Sequence, residues 1–447
     1  MPLIDYNLVR NFLTYFSHFT TLGPSFTLRH MEKNVIVIGG GIVGLSCAYY
    51  LHKAGHQVTV LDQSGMDSGA SYVNAGYLTP SHIVPLAAPG VMAKGLKWMF
   101  NSSSPFYLKP RIDLNFLTWS WNFHRSATPQ KVAKALPKIA EINLLSKALY
   151  TEILSSGDLG SFQLETGGLL MYFKSEKAAR EEREVLEQAH DLGLDGVELT
   201  LSELESLQPG LSPDITGAFH YRCDAHTTPN QIMGLLKRYL THQGVSLLPH
   251  TEVVDFVKNK NQISSVITNN GSHVADEVVL AAGTWSGNIA KKLNHKLVLE
   301  AGKGYRIDIN RPTPVTMPAL LMEAKVAVTP MSGFTRFAGT MELSGINHKI
   351  RKNRVEAIAK AAGTYYQNLD FTSTDLEQAA CGLRPVSPDG LPYIGRLGAW
   401  KNVTVGSGHA MMGWSLGPVT GKLITDLISD QKPLLDLAPY NPQRSFR

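Results

Sequence analysis

Gly39, Gly41 and Gly44 lie in the run Asn34-Val-Ile-Val-Ile-Gly-Gly-Gly-Ile-Val-Gly44 at the spacing that binds a pyrophosphate. The first permits a tight turn, the second lets the backbone approach phosphate oxygens, and the third lets the next helix pack closely on the strand. That helix start offers unpaired N–H groups and the positive end of a dipole. Asp62 closes the following apolar run, Val58-Thr-Val-Leu61, where a carboxylate accepts hydrogen bonds from a ribose hydroxyl. The bland alternative, a glycine-rich turn with a surface acid, leaves the glycine spacing without a cause. Downstream, the small and polar residues of Ser68 to Pro80 cannot build a core helix but can wrap a ligand closely.

These groups need elements to hold them. Four β-branched residues before Gly39 predict a buried parallel strand, Leu45 to Ala54 a helix, and Val58 to Leu61 the second strand of a βαβ unit. Strands are also predicted at Gly168 to Phe173, Glu277 to Gly283 and Asn402 to Gly406, and an extended run at Val245 to Val254. Helices are predicted at Ser175 to Leu192, from Pro229 to about His242, at about 353 to 369, and at Gly417 to Ser429. Ser202-Glu-Leu-Glu205 has capping-box spacing for a short helix that Pro209-Gly210 ends. Between roughly 296 and 343 the pattern changes to period two, as at Tyr305, Ile307 and Ile309, which predicts antiparallel strands and a second domain. The stretch 94 to 125 is aromatic and basic. It suits interdomain helices or a patch that meets a membrane surface.

The totals narrow the classes. A chain of 447 residues exceeds what one core usually supports, so two domains are expected. A formal charge of +5, scattered without a Lys/Arg block, argues against nucleic acid. Cys47, Cys223 and Cys381 are too few and too irregular for a disulfide framework, which favours a cytoplasmic compartment. The spacing of His220, Cys223, Asp224 and His226 matches no standard metal site, and a turn explains it; no metal is expected. Residues 1–30 lack the features of a signal peptide, so they are expected to be a disordered extension or to follow an upstream start, with Met31 the natural beginning.

Several segments together resemble one family. The glycine run, Ser71-Tyr-Val-Asn-Ala-Gly76, Leu280-Ala-Ala-Gly283, Cys381-Gly-Leu-Arg-Pro-Val-Ser-Pro-Asp-Gly390 and Gly408-His-Ala-Met-Met-Gly-Trp414 are similar to the D-amino-acid oxidase family of FAD-dependent oxidoreductases. Ala88-Pro-Gly-Val, Gly95-Leu-Lys-Trp98, Gly302-Lys-Gly-Tyr305 and Thr335 to Glu342 resemble its D-amino-acid dehydrogenase branch, of small-subunit type. The resemblance implies an α/β fold: a Rossmann-like FAD-binding domain of glutathione-reductase type from 31–90, 221–295 and 376–435. An α+β substrate domain with an antiparallel sheet would come from 91–220 and 296–375. It implies non-covalent FAD held by Gly39, Gly41, Ile42, Val43, Gly44, Asp62, Gln63, Ser71, Asn74, Ala75, Gly76, Val254, Ala282, Gly283, Gly408, Met412, Gly413 and Trp414. Asp62 departs from the Glu of many relatives, which keeps the acceptor and shortens its reach. Cys381 lies one residue from the position at which related sarcosine oxidases attach flavin.

The chemistry implied is oxidation of an amino acid at Cα by hydride transfer to the flavin, giving a 2-oxo acid and ammonia, with electrons passed to a quinone or another acceptor. The protein's task is to hold the substrate. A bidentate cation suits the carboxylate, which makes Arg384 the first candidate, Tyr305 and Arg336 the second, and His409, with His82, a flanking histidine. Three other readings stand: an oxidase or dehydrogenase of glycine, sarcosine or hydroxyproline-type secondary amines, a nicotinamide dehydrogenase, and a non-catalytic flavin-binding or membrane scaffold protein. The aromatic and basic stretch extends the location to peripheral contact at the inner face of the cytoplasmic membrane.

Overall fold

The computed structural model describes residues 31–89, 106–109, 111 and 113–446. Lys33–Arg447 form one compact unit. Within it two large sheets, built by different rules, meet at one cavity.

The first sheet has six strands in the order Ser246–Leu248, Gln57–Leu61, Asn34–Ile38, Glu277–Leu280, Val403–Ser407, Tyr393–Arg396. The first five run parallel and the last antiparallel. Their apolar runs read as continuous because both faces are covered. Val35, Val37 and Val60 sit in one core with the helices Ile42–Lys53 and Gly417–Ile428, while Ile36, Ile38 and Val278 face another with Phe256 and Leu293. A Cβ on Gly44 would lie 1.8 Å from the Gly39 carbonyl oxygen, so the helix is pressed against its strand as only glycine allows. Gly421 does the same between helices, with the Ser46 backbone 2.5 Å from its Cβ position.

The second sheet runs Ala380–Val386, Glu300–Ile309, Phe334–Leu343, Val326–Met331, Ala319–Leu321, Leu169–Phe173, Gly217–Tyr221, Gly196–Leu199, with Phe106–Leu108 paired beside Phe334–Leu343. It is antiparallel except where Ala319–Leu321 meets Leu169–Phe173 and where Phe106–Leu108 joins. Alternation along Glu300–Ile309 sends Tyr305, Ile307 and Ile309 into a core capped by the helix Lys352–Gly363. Ala380–Val386 pairs with Glu300–Ile309 over its whole length, so this part of 376–435 belongs to the second sheet and not the first.

Some local expectations move. The capping box is Thr200 with Glu203, opening Leu201–Leu207, two residues before the Ser202/Glu205 pair that also fits the pattern. Val245 to Val254 divides into Ser246–Leu248 and Val253–Asn259, because a turn at Pro249-His250 sends the two strands to different sheets. The 28-residue helix Pro129–Ser156, capped by Thr128 and ended by Gly157 in the left-handed region, was not anticipated. Residues 94–105 of the aromatic stretch, and the extension 1–30, lie outside the described residues.

Two glycine substitutions test this packing. Gly44→Ala should destabilise the protein by roughly 1–3 kcal/mol or more, since backbone must move to admit the methyl group. Gly234→Ala, in the helix Pro229–His242 with open space where its Cβ would sit, should stabilise by about 0.5–1 kcal/mol. Denaturant unfolding of both variants reads the contrast.

Candidate active site

At the carboxyl ends of the parallel strands lies a cavity of about 610 Å³, walled on the other side by Ala380–Val386 and Glu300–Ile309. The glycine run forms its floor. Gly39, at φ +113°, turns the chain out of the strand, and its Cβ position lies 2.4 Å from the Ala281 carbonyl oxygen. The corresponding space at Gly41 holds only Ser71 Oγ, at 3.1 Å, so the backbone there is open to a ligand. Ser71 Oγ accepts from Ile42 N–H at 2.9 Å. The N–H groups of Gly41 and Val43 have no protein partner among the described residues. Asp62 accepts from Gly40 N–H at 2.6 Å and from the Ser64 N–H and hydroxyl at 2.7 and 2.6 Å. A carboxylate has about four acceptor positions, so one remains for a ribose hydroxyl. Free donors at a helix start beside an acid fit the pyrophosphate and ribose of a dinucleotide.

Of the anticipated ligand contacts, Gly39, Gly41, Ile42, Val43, Asp62, Gln63, Ser71, Asn74, Ala282, Gly283, Gly413 and Trp414 line this cavity. The others lie elsewhere for identifiable reasons. Gly44 packs the helix on its strand. Gly76 packs on the Thr227 carbonyl, and the Ala75 carbonyl accepts from Thr329 Oγ1 at 2.8 Å. Gly408 packs on the Tyr393 ring. Val254 is 42% exposed, because strand alternation turns Val253 to the cavity instead. Met412 lines a separate cavity of about 40 Å³ with His82. Burial lowers the His82 pKa to about 4.

The four anticipated polar groups separate in the same way. Arg384 and His409 line the cavity. Tyr305 and Arg336 do not. The Tyr305 hydroxyl is buried against Glu342 Oε2 at 2.7 Å. Arg336, at 0% exposure, donates Nε and Nη2 to Asp308 at 2.8 and 2.9 Å and Nη1 to the Tyr72 and Asn74 carbonyls at 2.8 and 2.9 Å. Four of its five N–H donors are used, and it is paired with Asp308, which Arg306 shares. Arg384 is the opposite case. Among the described residues its one hydrogen bond runs from Nη1 to the Thr340 carbonyl at 3.0 Å, and no carboxylate pairs with it. Burial lowers its pKa to about 10, so it remains cationic at neutral pH.

His409 is held neutral, since burial lowers its pKa to about 3. The Thr420 hydroxyl donates to the Leu416 carbonyl at 2.7 Å and therefore accepts from His409 Nε2–H at 2.9 Å. Two cavity residues had no sequence signal. Trp285, which follows the Glu277–Leu280 strand, stacks on His348, from the loop after Phe334–Leu343, with ring centroids 6.1 Å apart and planes at 19°. Cys381 donates its thiol to the His348 carbonyl at 3.4 Å, and burial raises its pKa, so the sulfur stays protonated. Of the residues read as a turn rather than a metal site, His220 bonds the Gly167 carbonyl, His226 the Pro330 carbonyl, and Asp224 accepts from Ser81.

Known proteins are similar along nearly the whole chain. A D-amino acid dehydrogenase of Helicobacter pylori is 31% identical over 402 residues, covering 90% of this chain and 96% of the relative. One from Neisseria meningitidis serogroup C is 30% identical, covering 88% and 95%. Among solved structures, a glycine oxidase from Geobacillus kaustophilus has a TM-score of 0.73 at 22% identity, covering 93% of this chain and 99% of that one. An L-proline dehydrogenase from P. horikoshii scores 0.69 at 18% identity, covering 92% and 97%. The family model described as FAD dependent oxidoreductase (DAO) matches residues 34–427, and with the phosphate-ready glycine turn opening that span, the chain belongs to this family.

Proposed function

We propose that the chain is a FAD-dependent D-amino-acid dehydrogenase that oxidises a D-amino acid to its 2-oxo acid and ammonia and passes electrons to a quinone or another acceptor. FAD, when bound, supplies the hydride acceptor. The observation that carries the reading on this chain's own residues is Arg384, a recessed cation with no carboxylate partner among the described residues, on the wall of the dinucleotide cavity. Leaving a buried charge unpaired is costly, and an anionic ligand repays that cost. A planar fork with free donors takes a carboxylate in bidentate fashion and fixes the direction of the attached Cα. Gly41 and Val43 would hold the pyrophosphate and Asp62 the ribose. Neutral His409 would add a polar contact without charge. The protonated Cys381 thiol supports non-covalent FAD.

In this reading the FAD-binding part is Rossmann-like, of glutathione-reductase type, formed by 31–90, 221–295 and 376–435. Residues 91–220 and 296–375 form the substrate part, which borrows the strand Ala380–Val386. A second reading, oxidation of glycine or secondary amines, uses the same cavity and is separated by substrate choice.

The reading extends to peripheral membrane contact at the inner face of the cytoplasmic membrane. No helix of the described residues is long and apolar enough to cross a bilayer. On the helix Leu114–Ser126, however, Leu114, Leu117 and Trp121 share one face and are 81, 50 and 62% exposed, with exposed Arg125 beyond them. An apolar face with Trp and a cation suits the headgroup boundary of anionic lipid.

Three measurements test this. Anaerobic bleaching of the flavin should occur with D-amino acids and not with L-amino acids or N-methyl amines; bleaching by sarcosine or glycine alone selects the second reading. Arg384→Lys should retain FAD and thermal stability but lower kcat/KM by about 10- to 150-fold, since charge-assisted hydrogen bonds contribute roughly 1.5–3 kcal/mol. Co-sedimentation with anionic vesicles should fall in a Leu117→Ser/Trp121→Ser variant, and absence of sedimentation by the unaltered protein rejects membrane contact.

A further inference from the structure

Arg384 stands in a patch of strand surface stripped of side chains. Gly302 pairs directly with Arg384, and Gly304 with Gly382, across neighbouring antiparallel strands. Directly paired residues and their i+2 neighbours point to one face, so all four residues share the face that carries Arg384 to the cavity. A Cβ on Gly304 would lie 2.1, 2.3 and 2.4 Å from Arg384 Nη1, Nη2 and Cζ. Three guanidinium atoms at that distance mean that the Nη1–Nη2 end of the group occupies the space that a side chain at 304 would fill. The opposite flank of Glu300–Ile309 is irregular. Lys303 pairs with Glu342 and Tyr305 with Gly339, which leaves Thr340 and Met341 facing Gly304 as a bulge. Thr340 adopts φ +70°, a conformation that a β-branched residue rarely takes. Its carbonyl receives the Arg384 Nη1 hydrogen bond. Strain of this kind persists only where surrounding structure imposes it, and here it aims one backbone oxygen at one cation.

From this geometry we infer that Gly304 is a positioning residue for Arg384: with the strained Thr340 carbonyl it forms a cradle that recesses the guanidinium and sets the depth at which a substrate carboxylate docks. The inference rests on the carboxylate role of Arg384 proposed above. A methyl group at 304 would force the guanidinium off the sheet and into the cavity, shortening the space between the docked carboxylate and the cofactor. A displacement of about 1 Å at such a contact is enough to cost up to about 100-fold. The loss should grow with the size of the substrate side chain, because bulk has less room when the anchor moves forward.

The probe is propionate, a carboxylate without an amine, titrated into the FAD-loaded protein and followed by the perturbation of flavin absorbance. Gly304→Ala should weaken propionate by about tenfold or more and raise the KM of the amino-acid substrate further than it lowers kcat. In an Arg384→Met background, which has no guanidinium to displace, adding Gly304→Ala should change propionate binding by less than about twofold. If Gly304→Ala loses FAD while the double variant keeps it, the steric conflict with Arg384 is the cause and the inference stands. If both lose FAD, Gly304 is only structural and the inference fails. It also fails if folded, FAD-loaded Gly304→Ala binds propionate within about twofold of the unaltered protein. If Arg384→Met itself binds propionate as tightly as the unaltered protein, the carboxylate role of Arg384 falls, whatever Gly304 does.

Discussion

The Arg336 guanidinium ties the two sheets at the cavity. It is rooted in the antiparallel sheet, where Asp308 takes two of its donors, and it reaches the Tyr72 and Asn74 carbonyls in the loop that follows the nucleotide-binding unit. Around it Thr329 holds the Ala75 carbonyl, the Tyr77 hydroxyl spans the Ala319 and Val328 carbonyls, and Gly382 lets its strand press on Ala70. A loop of small polar residues has no core of its own. Charge-assisted bonds to its backbone hold Ser71 and Asn74 at the cavity wall, and such a buried pair is strongly destabilising to break.

The same residue type therefore does two jobs within one sheet. Arg336 has four of its five donors engaged and a carboxylate beside it, and it behaves as a fastening. Arg384 has, among the described residues, one carbonyl and no carboxylate, which is the state the proposed receptor role requires. Chemical identity does not separate them; partner count does. Lys303 makes the same point. It is 1% exposed, yet Glu342, Asn347 and the Lys349 carbonyl surround its ammonium, so its burial signals anchorage of the loop that carries His348.

The nucleotide-binding half was legible because its signals are local. The βαβ unit, the glycine roles, the later strand at Glu277–Leu280 and the closing helix all follow from apolar runs and turn residues within short windows. The other half was legible only as a pattern. Period two announced antiparallel strands, but the parity that faces the cavity depends on which sheet face is covered, and that is decided far away by the helix Lys352–Gly363. Tyr305 points to the side that this helix covers, whereas Arg336 shares the opposite face with Asp308 and misses the cavity because its donors are spent on Asp308 and on the Tyr72 and Asn74 carbonyls. The glycines at 302 and 304 carried the missing signal, since a strand rarely gives up side chains at alternate positions without something lying on it. The Thr200/Glu203 box was lost among overlapping S/T-x-x-E matches. The long helix Pro129–Ser156 was unread because Pro137 interrupts its pattern and its buried residues face several partners.

The cavity's polar inventory also constrains the chemistry. His409 is neutral with its proton committed to Thr420, Cys381 is protonated, and Asp62 is engaged by the glycine turn. None of these is poised as a strong base beside Arg384. A reaction that moves a hydride needs a different kind of help: the amine must arrive neutral, and Cα must point correctly. Orientation then becomes the main lever, and in the proposed reading a guanidinium seated over a glycine in the strand would supply it. On the inference drawn for Gly304, the catalytic demand would reach back to the sheet's least conspicuous residues, where the absence of side chains, rather than any reactive group, would set where the substrate stands.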